Sequence, residues 1–408
     1  MLEDHVKSRC TCLRLRASAV GAHVDAFVES LLTEGYSPTT LEQTCRFLAI
    51  LTSWMTLNAF GDDVVGGLSA YIELATRGRL RDSESTAMRV QRAGKRYLQF
   101  LRRHGFIPPL KKPYELRPLL GGFHKWSLQH HGLAETTLHL YEDVLVDLLD
   151  ALGDDPAAYS AQRLRDFIVV RCRPHGRRRG ETIVCAVRAF LRFLVAMGRC
   201  RDGLPDAIPR FASWKLSSLP RYLEPPDVQR VLDACPPSTP MLRRDRAILL
   251  LLSRLGLRGG DIGRLTFDDI DWRNATIEVA GKSRRRERLP LPQEVGDALL
   301  DYIQHGRPGM THRQVFLTAR APHRPVNNLA VSQIANAALL RAGVDSPTHG
   351  AHVFRHSAAT AMLRQGASLQ SIGAVLRHRS PDTTLQYAKV DFASLAGVAL
   401  PWPEVSPC

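Results

Sequence analysis

The chain has 408 residues, 44% apolar and 23% charged, an ordinary globular composition that excludes wholesale disorder. Lys and Arg total 55 against 40 Asp and Glu, a formal net charge of +15 that points to a polyanionic partner, usually nucleic acid. No apolar run approaches the roughly 18 residues of a membrane span, and the charged N-terminus has no apolar signal core, so neither a membrane nor a secreted protein is expected.

At roughly 100–200 residues per domain the length suggests several domains. The first stretch, 17–107, reads as a helical DNA-binding module. An apolar helical segment (Phe27, Leu31, Leu32) leads to Gly35-Tyr-Ser-Pro-Thr-Thr-Leu41. There Ser37 fits an N-cap with Pro38 at the first helical position, and Leu41, Cys45, Leu48, Ala49 and Leu51 recur at helical spacing. The second stretch, 114–202, repeats this plan. Phe123, Trp126 and Leu128 precede Gly132-Leu-Ala-Glu-Thr-Thr-Leu138, Gly153-Asp-Asp155 matches Gly61-Asp-Asp63, and Phe190-Leu-Arg-Phe-Leu194 matches Tyr97-Leu-Gln-Phe-Leu101. A duplicated helical module is the expectation, with chance likeness of two helical segments as the plainer alternative.

An Arg-rich segment precedes the closing helix of each copy, with Arg92, Lys95 and Arg96 in the first and Arg177, Arg178, Arg179 and Arg188 in the second. One such run alone is usually a solvated face; its repetition in the same place suggests two surfaces that track phosphates. Pro-bearing stretches at 107–113 and 204–226 read as linkers.

The third part, 219–408, mixes helices and strands. Pro240 to Gly256 is a strongly apolar helix; Ala275–Ala280 alternates as a strand, Gly281–Arg285 turns, and Glu287–Leu291 returns. Val315-Phe-Leu317 is expected to add a third strand. The eight cysteines include no CxxC pair, so reduced thiols in a cytoplasmic protein and no metal site are expected.

Residues able to handle phosphate follow in order: Arg258 in Gly256-Leu-Arg-Gly-Gly-Asp261, Lys282 in the turn between strands, His352 and Arg355 in His352-Val-Phe-Arg-His356, His378 in Leu376-Arg-His378, and Tyr387 in Thr383-Thr-Leu-Gln-Tyr387. Each alone has an ordinary structural explanation. Together, in this order and spacing, they resemble the tyrosine recombinase family, the lambda-integrase or Xer-like phage integrases, across about Leu219 to Val390. The ending, with Ala388-Lys-Val-Asp391 and Leu400-Pro-Trp-Pro403, resembles transposon-borne members.

The resemblance implies a multidomain fold: mainly α-helical core-binding-like (SAM-like) modules, then an α+β catalytic domain with a small antiparallel β-sheet. It implies a site-specific recombinase or integrase, acting in DNA integration or transposition, that needs no cofactor or metal. Tyr387 would be the nucleophile, forming a 3′-phosphotyrosyl link. Arg258 and Arg355 would clamp the non-bridging oxygens, Lys282 would protonate the leaving 5′ oxygen, and His352 and His378 would assist. Asp261, one helical turn beyond Arg258, would orient it from behind. The partner would be double-stranded DNA, bound by a homo-tetramer or a hetero-tetramer with related recombinases. The apolar tail residues Phe392, Leu395, Val398, Leu400 and Trp402 would dock on a neighbouring protomer or fold back on their own domain.

Two departures from the family pattern stand out. Arg377 occupies the place before the histidine where Gly is common, and would contact DNA or crowd the site. Gly259-Gly260 is a looser continuation than usual. A resolvase or relaxing topoisomerase would share this chemistry. A non-catalytic accessory partner in a multi-recombinase complex is the alternative of a different class; an RNA-binding protein would need aromatic stacking motifs on strands, which are not found.

Overall fold

The computed structural model describes residues 2–77, 84–110, 113–209, 211, 219–280, 286–378 and 380–390. Lys282, the tail residues beyond Val390 and the Leu400-Pro-Trp-Pro403 segment lie outside these. The chain forms two compact units, one built from Met1–Phe100 with Leu216–Cys408 and the other from Leu101–Lys215. No described helix is long and apolar enough to cross a membrane.

The first unit opens with two short helices, α1 (Leu2–His5) and α2 (Arg9–Arg16). Four more follow: α3 (Val24–Thr33), α4 (Pro38–Leu57), α5 (Val64–Thr76) and α6 (Glu84–Arg103). Ser37 caps α4 as its sequence predicts, accepting from the Thr40 amide with Pro38 at the first turn. The apolar faces meet around Phe27, whose ring stands edge-on to Tyr97 at 5.2 Å, with Leu41 and Leu48 fully buried.

The second unit holds α7 (Pro113–Leu116), α8 (Pro118–His131), α9 (Glu135–Leu152), α10 (Ala161–Cys172) and α11 (Arg177–Ala196). Its core gathers Phe123, Leu148, Phe190 and Leu194. The helices α8 to α11, of 14, 18, 12 and 20 residues, repeat the succession of α3 to α6, of 10, 20, 13 and 20. Gly132 ends α8 in the left-handed region that a residue without Cβ enters freely.

From residue 219 onward the first unit forms α12 (Pro225–Asp233), the buried α13 (Pro240–Arg254) and the short α14 (Gly259–Arg264). A three-stranded antiparallel sheet follows: β1 (Ile270–Asp271), β2 (Thr276–Ala280) and β3 (Arg286–Pro290). Five helices complete it: α15 (Gln293–His305), α16 (Asn328–Arg341), α17 (His352–Arg364), α18 (Leu369–Val375) and α19 (Asp382–Ala388). The central β2–β3 hairpin falls where alternation placed it, with Thr276 opposite Pro290 and Ala280 opposite Arg286. The third strand does not. Of Val315–Leu317 only Leu317 makes an isolated bridge, to Pro325, and Ile270–Asp271 takes the sheet position, pairing with Ile277 and Thr276.

The helix α13 is apolar nearly all round because it is buried nearly all round; Ile248 through Leu252 are fully buried. It stops at Gly256, at φ +58, where an added Cβ would stand 2.5 Å from Leu376 Cδ2. The first of the paired glycines after Arg258 also has a packing cause: a Cβ on Gly259 would meet Asn328 Oδ1, at the start of α16, at 2.6 Å. The backbone of α14 therefore lies against the Asn328 and Val331 side chains of α16.

Candidate active site

Arg258 is the N-cap residue of α14, and Arg355 lies one turn into α17. Arg355 is buried. Its guanidinium donates to the carbonyl of Gly256, at the end of α13, and to that of Leu376, at the end of α18. Arg258 donates through Nη2 to the carbonyl of Arg377 at 3.2 Å. The two guanidiniums therefore grip consecutive carbonyls of one turn. Burial lowers the pKa of both. Arg355 falls to about 10, with the neighbouring charge of Arg258 adding to the effect. For Arg258, the carboxylate of Asp261 opposes the fall. Both remain cations at neutral pH, each held in plane by main-chain oxygens.

Tyr387 sits on α19 and is 1% exposed. Its hydroxyl is 2.9 Å from Nδ1 of His356. Burial pushes the phenol up to about 12, with Arg355 pulling the other way. His356 is pushed down to about 4, by burial first and then by the charges of His352 and Arg355. It is therefore neutral at pH 7, and the hydroxyl of Tyr387 is hydrogen-bonded to a neutral imidazole.

His378 follows the α18 turn. Its Nδ1 lies 2.7 Å from Thr384 Oγ1 on α19, and its ring lies parallel to that of Tyr387, with centroids 6.3 Å apart. Burial, then Arg355 and Arg258, lower its pKa to about 4. His352 is the exposed first residue of α17, its ring 6.4 Å from that of His356. Arg258, His352, Arg355, His378 and Tyr387 are thus gathered by α14, α17, α18 and α19.

Two expectations need correction. Asp261 does not bond Arg258. Its carboxylate accepts from Arg377 Nη2 at 2.7 Å and from Arg264 Nη2 at 2.7 Å, and it acts on Arg258 by its charge and through the Arg377 main chain. Arg377 itself neither reaches outward nor crowds His378: it is buried and turned toward Asp261. His356 is a site residue that the sequence pattern did not single out. The available signal was its place four residues after His352, which puts both imidazoles on one helix face.

Of the basic residues, Arg92 and Lys95 are exposed on α6, and Arg177 and Arg178 are exposed at the start of α11, with Arg179 half-buried beside them. Arg96 donates to Thr44 Oγ1 at 2.8 Å and lies over the Tyr36 ring. Arg188 donates to the carbonyls of Pro205 and Ile208 at 3.3 and 2.8 Å, so both are committed within their own units.

The phage integrase family profile matches residues 221–394. An inferred integrase/recombinase of Sinorhizobium fredii, y4rA, is 35% identical over 94% of this chain and 95% of its own length. The tyrosine recombinase XerD of Yersinia pestis is 28% identical over 67% of this chain and 93% of its own. Among solved structures, a lambda integrase dimer bound to a core site superposes with a TM-score of 0.53 at 17% identity, covering 71% of this chain and 99% of that one. XerH recombinase in a post-cleavage complex with palindromic difH substrate gives 0.53 at 14% identity, covering 83% and 95%. The fold is thus that of these recombinases, and the chain belongs to the phage integrase family of tyrosine recombinases.

Proposed function

We propose that this protein is a site-specific DNA recombinase that cuts and rejoins strands through a 3′-phosphotyrosyl intermediate, in DNA integration or transposition. The observation that carries the reading is the placement of Tyr387, hydrogen-bonded at 2.9 Å to a neutral imidazole, beside two guanidiniums held on consecutive carbonyls. Rejoining a phosphodiester without an external energy source calls for a covalent intermediate, and a phenol on a rigid helix is a suitable carrier. Tyr387 attacks phosphorus as its proton passes to the neutral His356 imidazole 2.9 Å away; the 5′ oxygen departs and takes a proton from Lys282. Negative charge grows on the two non-bridging oxygens, and the N–H donors that Arg258 and Arg355 do not use on carbonyls are available to meet it. His352 assists proton transfer, and His378, backed by Thr384, donates to a phosphate oxygen.

The DNA partner is supported by the basic surplus and by the relatives solved on DNA substrates. Arg92, Lys95, Arg177, Arg178 and Arg179 would contact phosphates, with Arg96 and Arg188 shaping those surfaces. Three parts, 17–107, 114–202 and 219–408, would bind duplex DNA in the cytoplasm as a homo-tetramer or with related recombinases, since exchange needs four strand cuts.

The deciding experiment is covalent capture in the native host. Tagged wild type and Tyr387→Phe are expressed, the lysate is strongly denatured, the protein is recovered and attached DNA is sequenced. DNA enriched with wild type and absent with Tyr387→Phe is the expected result, and it reveals the target site. Absence from both, with native recovery still yielding DNA, favours the accessory-partner reading.

A further inference from the structure

Arg377 takes the left-handed backbone region at φ +55, where a side chain is ordinarily disfavoured. Its side chain is 2% exposed and donates to Asp261, itself 2% exposed. Among the described residues its Nε and Nη1 are buried without a hydrogen-bond partner, and the Asp261 contact is the one that satisfies this buried cation. The Arg377 main-chain carbonyl receives Arg258. The preceding carbonyl, of Leu376, receives Arg355.

We infer that Arg377 is a positioning residue for the guanidinium clamp: its ion pair with Asp261 pins the 376–377 turn so that two consecutive carbonyls aim Arg258 and Arg355. A buried charge with one partner has no alternative rotamer of comparable energy, because leaving Asp261 strands it. The left-handed backbone at 377 turns its carbonyl to Arg258, and the side chain locks that backbone from the far side. Asp261 rides on the first turn of α14, directly after Arg258, so the pair also ties the helix that carries one guanidinium to the turn that receives both. Arg264, 61% exposed, is a second and wetter partner of Asp261. This inference rests on the proposed phosphoryl clamp.

The test uses the full chain and a nicked duplex built on the captured DNA site, from which cleaved product cannot religate. Arg377→Gly is the informative variant, since Gly takes the same φ without strain and keeps the carbonyl, removing only the anchor. We expect single-turnover formation of the covalent complex at saturating DNA to fall roughly tenfold to a hundredfold, as misplaced catalytic groups cost, with half-saturating DNA unchanged. Asp261→Asn should fall comparably and the double variant no further, because the two act as one device. Arg377→Lys should recover part of the rate. A substrate with a neutral methylphosphonate at the scissile position should narrow the gap between wild type and variant, since less charge then needs clamping; a merely structural lesion leaves that gap unchanged.

An undiminished rate in Arg377→Gly, a loss confined to DNA affinity, or a gap unmoved by methylphosphonate overturns the positioning role while leaving the parent reading intact. Wild-type protein that forms no tyrosyl link overturns the parent reading itself, and this inference with it. If thermal unfolding shows that Arg377→Gly does not fold, Asp261→Asn decides on the same criteria.

Discussion

Acidification should weaken this protein through a histidine that burial and neighbouring charges keep neutral. His356 titrates at about 4 in the folded chain against an ordinary value of 6.5. A base whose folded pKa is depressed takes up its proton more readily when unfolded. Stability is therefore complete above pH 6.5 and is lost as pH falls from there toward 4. Each tenfold drop in proton affinity corresponds to about 1.4 kcal/mol, and the linkage integral to pH 5 gives a loss of about 2 kcal/mol from this group. His378 is displaced in the same direction and adds to the total. The contribution of His356 is isolated by comparison with His356→Asn, whose side-chain amide can hydrogen-bond Tyr387 in place of Nδ1 and does not titrate. Scanning calorimetry of both proteins at pH 7 and pH 5 gives the readout. The chain has two compact units, so the transition that moves with pH is followed, not a single global one. Wild type should lose about 2 kcal/mol more than His356→Asn over that interval, a difference of roughly 3 °C in midpoint. Equal losses in the two proteins would refute the reasoning, since His356 would then titrate alike folded and unfolded.

Three further outcomes are expected. Arg258→Ala should lower turnover far more than DNA affinity; a large affinity loss with cleavage intact at saturating DNA would make Arg258 a backbone-positioning contact only. Arg355→Ala strips the Gly256 and Leu376 carbonyls of a charged donor and should destabilise by roughly 3 kcal/mol, measured by thermal unfolding. Gly256→Ala forces a Cβ into the left-handed region and against Leu376, which should cost about 2–4 kcal/mol and misplace Arg355 as well, seen as a lower melting point together with slower covalent-complex formation.

The parts of the site legible in the sequence are those in which chemistry fixes residue type and chain order. Arg258, Arg355, His378 and Tyr387 stood out because the proposed phosphoryl transfer through tyrosine would demand cations, proton handlers and a phenol, and α14, α17, α18 and α19 carry them. Helix starts were readable for a similar local reason: Ser37 and Pro38 mark one within four residues. What the sequence concealed is decided by contacts across long stretches of chain. The Asp261–Arg377 pair spans 116 positions and the Arg355–Gly256 bond 99, and no periodicity encodes either. Asp261 read naturally as the orienter of Arg258 because one helical turn separates them, yet its carboxylate faces the turn after α18. The sheet failed differently. Ile270–Asp271 is too short to show alternation, whereas Val315–Leu317 has strand composition but finds only a single bridge, at Leu317. The proline stretches suggested three parts in sequence. Residues 1–100 nevertheless share a compact unit with 216–408, where the Glu34 carbonyl accepts from the His323 amide at 3.2 Å. There a Cβ on Gly35 would collide with the His323 ring at 2.4 Å. Gly35 is thus held to glycine twice over, by its φ of +82 and by that ring. A motif that marked the start of α4 in the sequence is also a seam between distant stretches of chain, which local patterning alone could not reveal.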